Sequence, residues 1–141
     1  FTLHGVEDTP GIAYKILGPV NDQDISVDVI VQNISVNGKT DFTFTVDKED
    51  EEQVKSILES KQSGLDYIDL LIDADIAKVS IVGAGMRSHA GIASKAFEAL
   101  SNESINIQVI STSEIKITLV IEDKYLELAV KCLHKAFNLE K

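Results

Sequence analysis

Thr9-Pro10-Gly11-Ile12-Ala13-Tyr14-Lys15 lies over His89-Ala90-Gly91-Ile92-Ala93-Ser94-Lys95 when the chain is slid along itself by 80 residues. In the same register, without a gap, Ile25-Ser26-Val27-Asp28-Val29-Ile30 falls on Ile105-Asn106-Ile107-Gln108-Val109-Ile110, and Gly5 falls on Gly85. A shared Gly-Ile-Ala-x-Lys followed by a matching β-branched run marks two copies of one unit, 1–76 and 77–141. A chain of 141 residues has room for one ordinary domain or two very small ones.

Both copies follow one order of elements. A short apolar strand (Phe1 to Leu3; Val79 to Val82) leads through a glycine-containing loop into a helix that begins at Gly11 or Gly91. Ile12, Ile16, Leu17 and Val20 form an apolar stripe at helical spacing, as do Ile92, Ala96, Phe97 and Leu100. Gly18-Pro19 predicts a shortened or kinked first helix, since proline lacks an N–H and clashes with the preceding turn. A second strand follows (Ile25 to Val31; Ile105 to Ile110), then a third (Asp41 to Val46; Ile115 to Ile121), then a second helix. That helix opens on acidic residues in copy one and carries Leu126, Leu128, Ala129, Leu133 and Phe137 in copy two. A fourth strand, Tyr67 to Ile72, exists only in copy one. The expected fold is α+β, two ferredoxin-like βαββαβ units in tandem, the second lacking its fourth strand.

Composition narrows the function. Thirteen basic against 23 acidic residues give a net charge of −10, which speaks against nucleic acid or an anionic membrane as partner. No apolar run approaches the roughly 20 residues of a membrane span, and there is no basic-then-apolar leader. The single cysteine, Cys132, rules out an internal disulfide and suits a cytoplasmic location. Phe1 in place of Met suggests a piece of a longer chain.

The residues offer no catalytic or metal set. Val82-Gly83-Ala84-Gly85-Met86-Arg87-Ser88 sits between a strand and a helix, but Ser88 stands where a dinucleotide fingerprint needs its third glycine. Cys132 lies among Ala129, Val130 and Leu133, as a packed thiol does. His4, His89 and His134 lack metal-ligand spacing, although His89 precedes a helix and can cap it or meet a ligand. The acidic run from Asp47 to Glu52 solvates a helix start. More suggestive are the two small-residue helix starts at Gly11 and Gly91, where free amides and the helix dipole favour a carboxylate. On the second strand Ser26, Asp28, Ile30 and Gln32 are expected on one face, and Val27, Val29 and Val31 on the other, toward the helices. The polar cluster Ser111-Thr112-Ser113-Glu114 ends the matching strand of copy two.

At these residues the chain resembles paired ACT domains, the amino-acid-sensing modules. Several strings are similar to the C-terminal regulatory region of bacterial aspartate kinase (aspartokinase): Val31-Gln32-Asn33, Thr40 to Thr45, Val82 to Gly91, and Ile110 to Ile115. The resemblance covers essentially the whole chain. It implies feedback control of lysine, threonine and methionine biosynthesis, with lysine and/or threonine as effectors. It implies no cofactor here, since ATP, Mg and the phosphotransfer from ATP to L-aspartate belong to a kinase domain that this sequence lacks.

The resemblance also implies a site. Asp8, Gly11, Ile12, Ala13, Ser26, Asp28 and Gln32 match effector-binding positions of the first repeat, and Asn106 and Ile107 match positions of the second that reach the same kind of pocket. Met86, Arg87, Ser88, Ile92, Ala93, Thr112, Ser113 and Glu114 match the second repeat's own turn and strand end. Ser26 departs from the family, which often has Asn there. A segment ahead of residue 1 is implied to complete the second unit, so extending the chain upstream should slow hydrogen exchange in copy two selectively. The second strands are expected at sheet edges, pairing ACT units side by side, within or between chains, into a homodimer. An amino-acid sensor of another biosynthetic enzyme or of a transcription regulator is the alternative reading, and a stand-alone ferredoxin-like enzyme a second. A kinase domain encoded before Phe1 would exclude the sensor, and an activity-free fragment that still binds an amino acid would exclude the enzyme.

Overall fold

Where the apolar period is two the chain extends, and where it is 3.6 it coils. The computed structural model describes residues 1–60, 66–82, 89–113 and 116–137. They form two compact units, Phe1–Ala74 and Asp75–Lys141. The boundary falls just ahead of β5, where the Asp123 N–H donates to the Asp75 carbonyl.

The first unit runs β1 (Thr2–Glu7), α1 (Ile12–Asp22), β2 (Val27–Gln32), β3 (Lys39–Val46), a 3-10 turn (Lys48–Asp50), α2 (Glu51–Glu59) and β4 (Asp69–Leu71). Its antiparallel sheet has the order β2-β3-β1-β4, the ferredoxin-like βαββαβ arrangement. Leu3, Val6, Phe42 and Phe44 from the sheet meet Ile16 and Val20 of α1 and Val54 and Leu58 of α2 in one core, each 1% exposed or less. The second unit runs β5 (Ile76–Val82), α3 (His89–Asn102), β6 (Val109–Thr112), β7 (Lys116–Glu122), a 3-10 turn (Asp123–Tyr125) and α4 (Leu126–Ala136). Among the described residues its sheet has three strands, ordered β5-β7-β6, so β5 has β7 on one side only. Ala96, Leu100, Ile117, Leu119, Ile121 and Ala129 centre its core.

The repeat extends into geometry that the residues do not advertise. At the end of α1 the Ile25 N–H reaches back to the Val20 carbonyl around left-handed Asp24 (φ 58°); at the end of α3 the Ile105 N–H reaches Leu100 around left-handed Ser104 (φ 56°). Both are helix ends in which a buried isoleucine bonds and packs against the last turn. This explains why β2 begins at Val27 and β6 at Val109, later than the β-branched runs suggest. Ile25 and Ile105 are extended residues committed to the helix end, and Gln108 makes the first link, to Val120.

Other boundaries differ for identifiable reasons. β1 runs on to Glu7 and β5 starts at Ile76, because each has a long partner in the sheet. β4 is only three residues, paired to Thr2, Leu3 and His4. α1 continues through Pro19 to Asp22, so the expected shortening does not occur; Gly18 before it has no Cβ to crowd the ring. On α4, Ala129 and Leu133 are buried, whereas Leu126 and Leu128 are exposed rather than core.

Two β-bulges control which way side chains point. On β2 the register jumps between Val27↔Val46 and Ile30↔Phe44, so Asp28 and Val29 face the single residue Thr45. The strand's exposure still alternates as expected, with Asp28, Ile30 and Gln32 exposed. The valines, however, do not share one face. Val27 packs on the core, Ile30 and Gln32 stand opposite core residues Phe44 and Phe42, and Val31 stands opposite Thr43 on the other face. The bulged Val29 N–H donates to Thr45 Oγ1 at 3.0 Å in a buried setting. Thr45→Val should leave that amide unsatisfied and destabilise the protein by about 1–3 kcal/mol, read as a lower urea midpoint; an unchanged midpoint would show that the amide finds another acceptor.

Candidate functional site

Gly11 begins the site. It sits just before α1 with φ 86°, in the left-handed region, with nothing within 4 Å of where a Cβ would be. The Ile12 N–H turns back to the Thr9 carbonyl, and the first regular helical bond is Lys15 N–H to Gly11 carbonyl. Among the described residues no side chain caps the helix. The N–H groups of Ala13 and Tyr14 find no backbone acceptor among the described residues, and they lie at the positive end of the helix dipole. Ala13 is exposed and Ile12 half-buried against the core.

Asp8 and Gln32 converge beside this turn. The Asp8 N–H is held by the Gly38 carbonyl at 2.9 Å, which ties the loop to the β2–β3 hairpin. Gln32 Nε2 donates to Asp8 Oδ1 at 3.4 Å, and both residues are exposed. The structure therefore brings together the acceptor-bearing side chains of Asp8 and Gln32, and Asp8 lies three residues along the chain from Gly11 at the open start of α1. Ser26 lies elsewhere. It is six residues from Gln32 along an extended segment, roughly 18–20 Å at the usual rise, and with Leu17, Asn21, Asp24, Ile25 and Val27 it lines a separate groove of about 520 Å³. Asp28 stands between these two places, on the bulge.

In the second unit the repeat holds in part. Thr112 stands opposite Ile117 as Gln32 stands opposite Phe42, and Thr112 at the end of β6 is exposed, as is Asn106 three residues ahead of that strand. Ser113 is tied into the β6–β7 turn by its N–H to the Lys116 carbonyl at 2.7 Å. Ile107, Ile92 and Ala93 pack against the core. The helix starts differ: α3 begins at His89, so Gly91 lies inside the helix, whereas Gly11 precedes α1. Met86, Arg87, Ser88 and Glu114 lie outside the described residues.

Asp47, Glu49 and Asp50 bring carboxylate oxygens within 4.8 Å of one another at the turn into α2, where the helix dipole favours negative charge. Cys132 bonds back to the Ala129 carbonyl at 3.4 Å, and burial, followed by the Glu103 carboxylate, pushes its thiol up from the ordinary value. A raised value means less thiolate at neutral pH. Alkylation of the folded protein should therefore rise to its half-maximal rate at a higher pH than alkylation in denaturant; coincident pH profiles would contradict this. One pairing was hidden in the sequence: His4 Nδ1 lies 3.2 Å from Asp41 Oδ2, across 37 residues and two strands.

Residues 3–62 and 79–137 each match the ACT domain family, which defines the class as a tandem ACT protein. Aspartate kinase of Pseudomonas putida is 58% identical over 99% of this chain. This chain spans about a third of the length of such curated relatives, 34% in that case. Among solved structures, the aspartokinase alpha and beta subunits are 52% identical, with a TM-score of 0.85, over 97% of this chain and 90% of that one. The ligand-free regulatory subunit of aspartate kinase from Thermus thermophilus is 34% identical, with a TM-score of 0.87, over 96% and 89%. The chain belongs to the regulatory region of the aspartokinases.

Proposed function

We propose that this chain is the amino-acid-sensing part of an aspartate kinase and mediates feedback inhibition by lysine and/or threonine. The observation that carries this reading is the contact between Gln32 and Asp8, which lies three residues along the chain from Gly11 at the open start of α1. A free amino acid has a carboxylate and an ammonium. The carboxylate suits the Ala13 and Tyr14 amides, and the open space at Gly11 admits it to the backbone. The ammonium suits the Asp8 carboxylate and the Gln32 side-chain oxygen. The Gln32 amide donates to Asp8 as an ammonium would. Lysine or threonine should raise the melting temperature in proportion to the logarithm of concentration above Kd. Glycine amide, which lacks the carboxylate, should not; equal shifts with both would contradict the reading.

The effector acts by population shift, because it fits one arrangement of ACT units better than another and the kinase portion follows. A homodimer supplies that second arrangement. β2 is an edge strand with Ile30 half exposed, and unpaired strand edges recruit partners. Antiparallel pairing of two β2 edges would set the Ser26 end of one copy beside the Gln32 end of the other, reuniting the separated positions. Light scattering should give a dimer, and a proline at Asp28 should weaken it by removing a strand donor. A monomer at high concentration with and without effectors would contradict the dimer.

A further inference from the structure

The loop that carries Asp8 is aimed by a bulge one turn of strand earlier. β1 pairs Leu3 with Phe42 and then Val6 with Thr40, so His4 and Gly5 together face the single residue Asp41. The extra residue keeps both Leu3 and Val6 in the core, each 1% exposed or less, although they are three apart. By the same alternation it turns Asp8, not Glu7, toward the side of the sheet where Gln32 stands opposite Phe42. Without the bulge every side chain beyond Leu3 would change face: Val6 would leave the core and Glu7 would take the place of Asp8.

The Asp41 side chain holds this bulge at both of its residues. Oδ1 accepts the Gly5 N–H at 3.1 Å and Oδ2 lies 3.2 Å from His4 Nδ1. Gly5 itself is left-handed (φ 67°), and a Cβ on it would collide with the Ile68 side chain, so glycine suits the position both by conformation and by space. The neighbouring bulge on β2 is built alike, with Thr45 of the same strand β3 accepting the Val29 N–H. β3 thus fixes, through Asp41 and Thr45, the two offsets that bring Asp8 and Gln32 within hydrogen-bond distance.

We infer that Asp41 is a positioning residue for amino-acid binding: it does not touch the ligand, but its carboxylate locks the His4–Gly5 bulge that presents Asp8 to Gln32. The inference rests on the reading of Asp8 and Gln32 as the ammonium site. Asp41→Ala, Asp41→Asn and Thr2→Val test it, the last removing the Thr2–Thr43 hydroxyl pair, which joins the same strands away from the bulge. Calorimetric affinity for lysine and threonine and hydrogen exchange at the Gly5 and Asp8 amides are the readouts. Asp41→Ala should weaken binding on the order of tenfold and speed exchange at both amides. Asp41→Asn, whose amide oxygen still accepts the Gly5 N–H, should restore both to near the parent values. Thr2→Val should lower stability with affinity kept. If Asp41→Ala does not fold, Asp41→Val, which keeps a strand-favouring side chain but has no acceptor for the Gly5 N–H, replaces it under the same expectations. Parent-like affinity in the alanine variant, failure of the asparagine to rescue, or an equal loss in Thr2→Val would overturn the inference. A parent that binds neither amino acid overturns the binding reading instead, and the Gly5 and Asp8 exchange rates then decide by themselves whether Asp41 locks the bulge.

Discussion

Phe44→Ala should destabilise the first unit by about 3–5 kcal/mol, the cost of removing a buried aromatic ring and leaving a cavity. Phe44 is fully buried. Its ring stacks on Phe1 with centroids 5.6 Å apart and meets the tilted ring of Phe42 at 6.2 Å. It sits on β3, the strand between β2 and β1, so side chains from α1, α2 and both neighbouring strands would border the void. Small domains are stable by only about 5–15 kcal/mol, so such a loss should bring the urea midpoint down steeply and impair the Asp8–Gln32 site with it. A loss under 1 kcal/mol would mean that the core around Phe44 can collapse to fill the space, contrary to its close packing.

Gln32→Ala and Ala13→Val should separate binding from stability. Gln32 is exposed at the end of an edge strand, and among the described residues its one side-chain bond is a 3.4 Å contact to Asp8, so the protein without effector loses little when it is removed. A bound ammonium would lose an acceptor, weakening binding by about 1–3 kcal/mol, roughly 5- to 150-fold. Ala13 is exposed in the first turn of α1. Valine there costs at most about 0.7 kcal/mol in helix propensity, yet its branched side chain would crowd the amides to which the proposed carboxylate binds. Both variants should show near-parental melting temperatures without ligand and much reduced affinity for lysine or threonine. In a complete enzyme the same changes should read as resistance to feedback with catalysis kept. Parent-like titrations of both variants would move the site to the second unit's turn at Ser88 to Ala93.

The repeat made the fold legible because local physics is strong in both copies. Stripes such as Ile16–Val20 and Ala96–Leu100 have one helical period, and the strands of both copies are β-branched. Strand limits were less legible. Ile25 and Ile105 look like strand residues, but their N–H groups bond to a helix end, which depends on left-handed Asp24 and Ser104; Asp and Ser mark a turn there but not which residue after it is the first to pair in the sheet. The face assignment on β2 went astray at Val29 for a related reason. A bulge is a property of a strand pair, and the residue that accepts its amide, Thr45, lies 16 positions away. Asp8, Gln32 and the Gly11 helix start were legible as candidates for the site, because glycine before a helix and polar residues on a strand carry local signals. Asp41 was not, since its meaning comes from two residues 36 and 37 positions earlier. Ser26 was grouped with Gln32 by alternation, although strand rise alone separates them.

The most direct measurement is a calorimetric titration of the protein with lysine, with threonine and with the two together. Saturable heat should accompany lysine, threonine or their combination, with stoichiometry near one per site, and binding should be strongly reduced in Gln32→Ala. No heat of binding for either amino acid or the mixture, at concentrations where the protein is folded, would contradict the assignment of this ACT pair as a lysine- or threonine-sensing regulator.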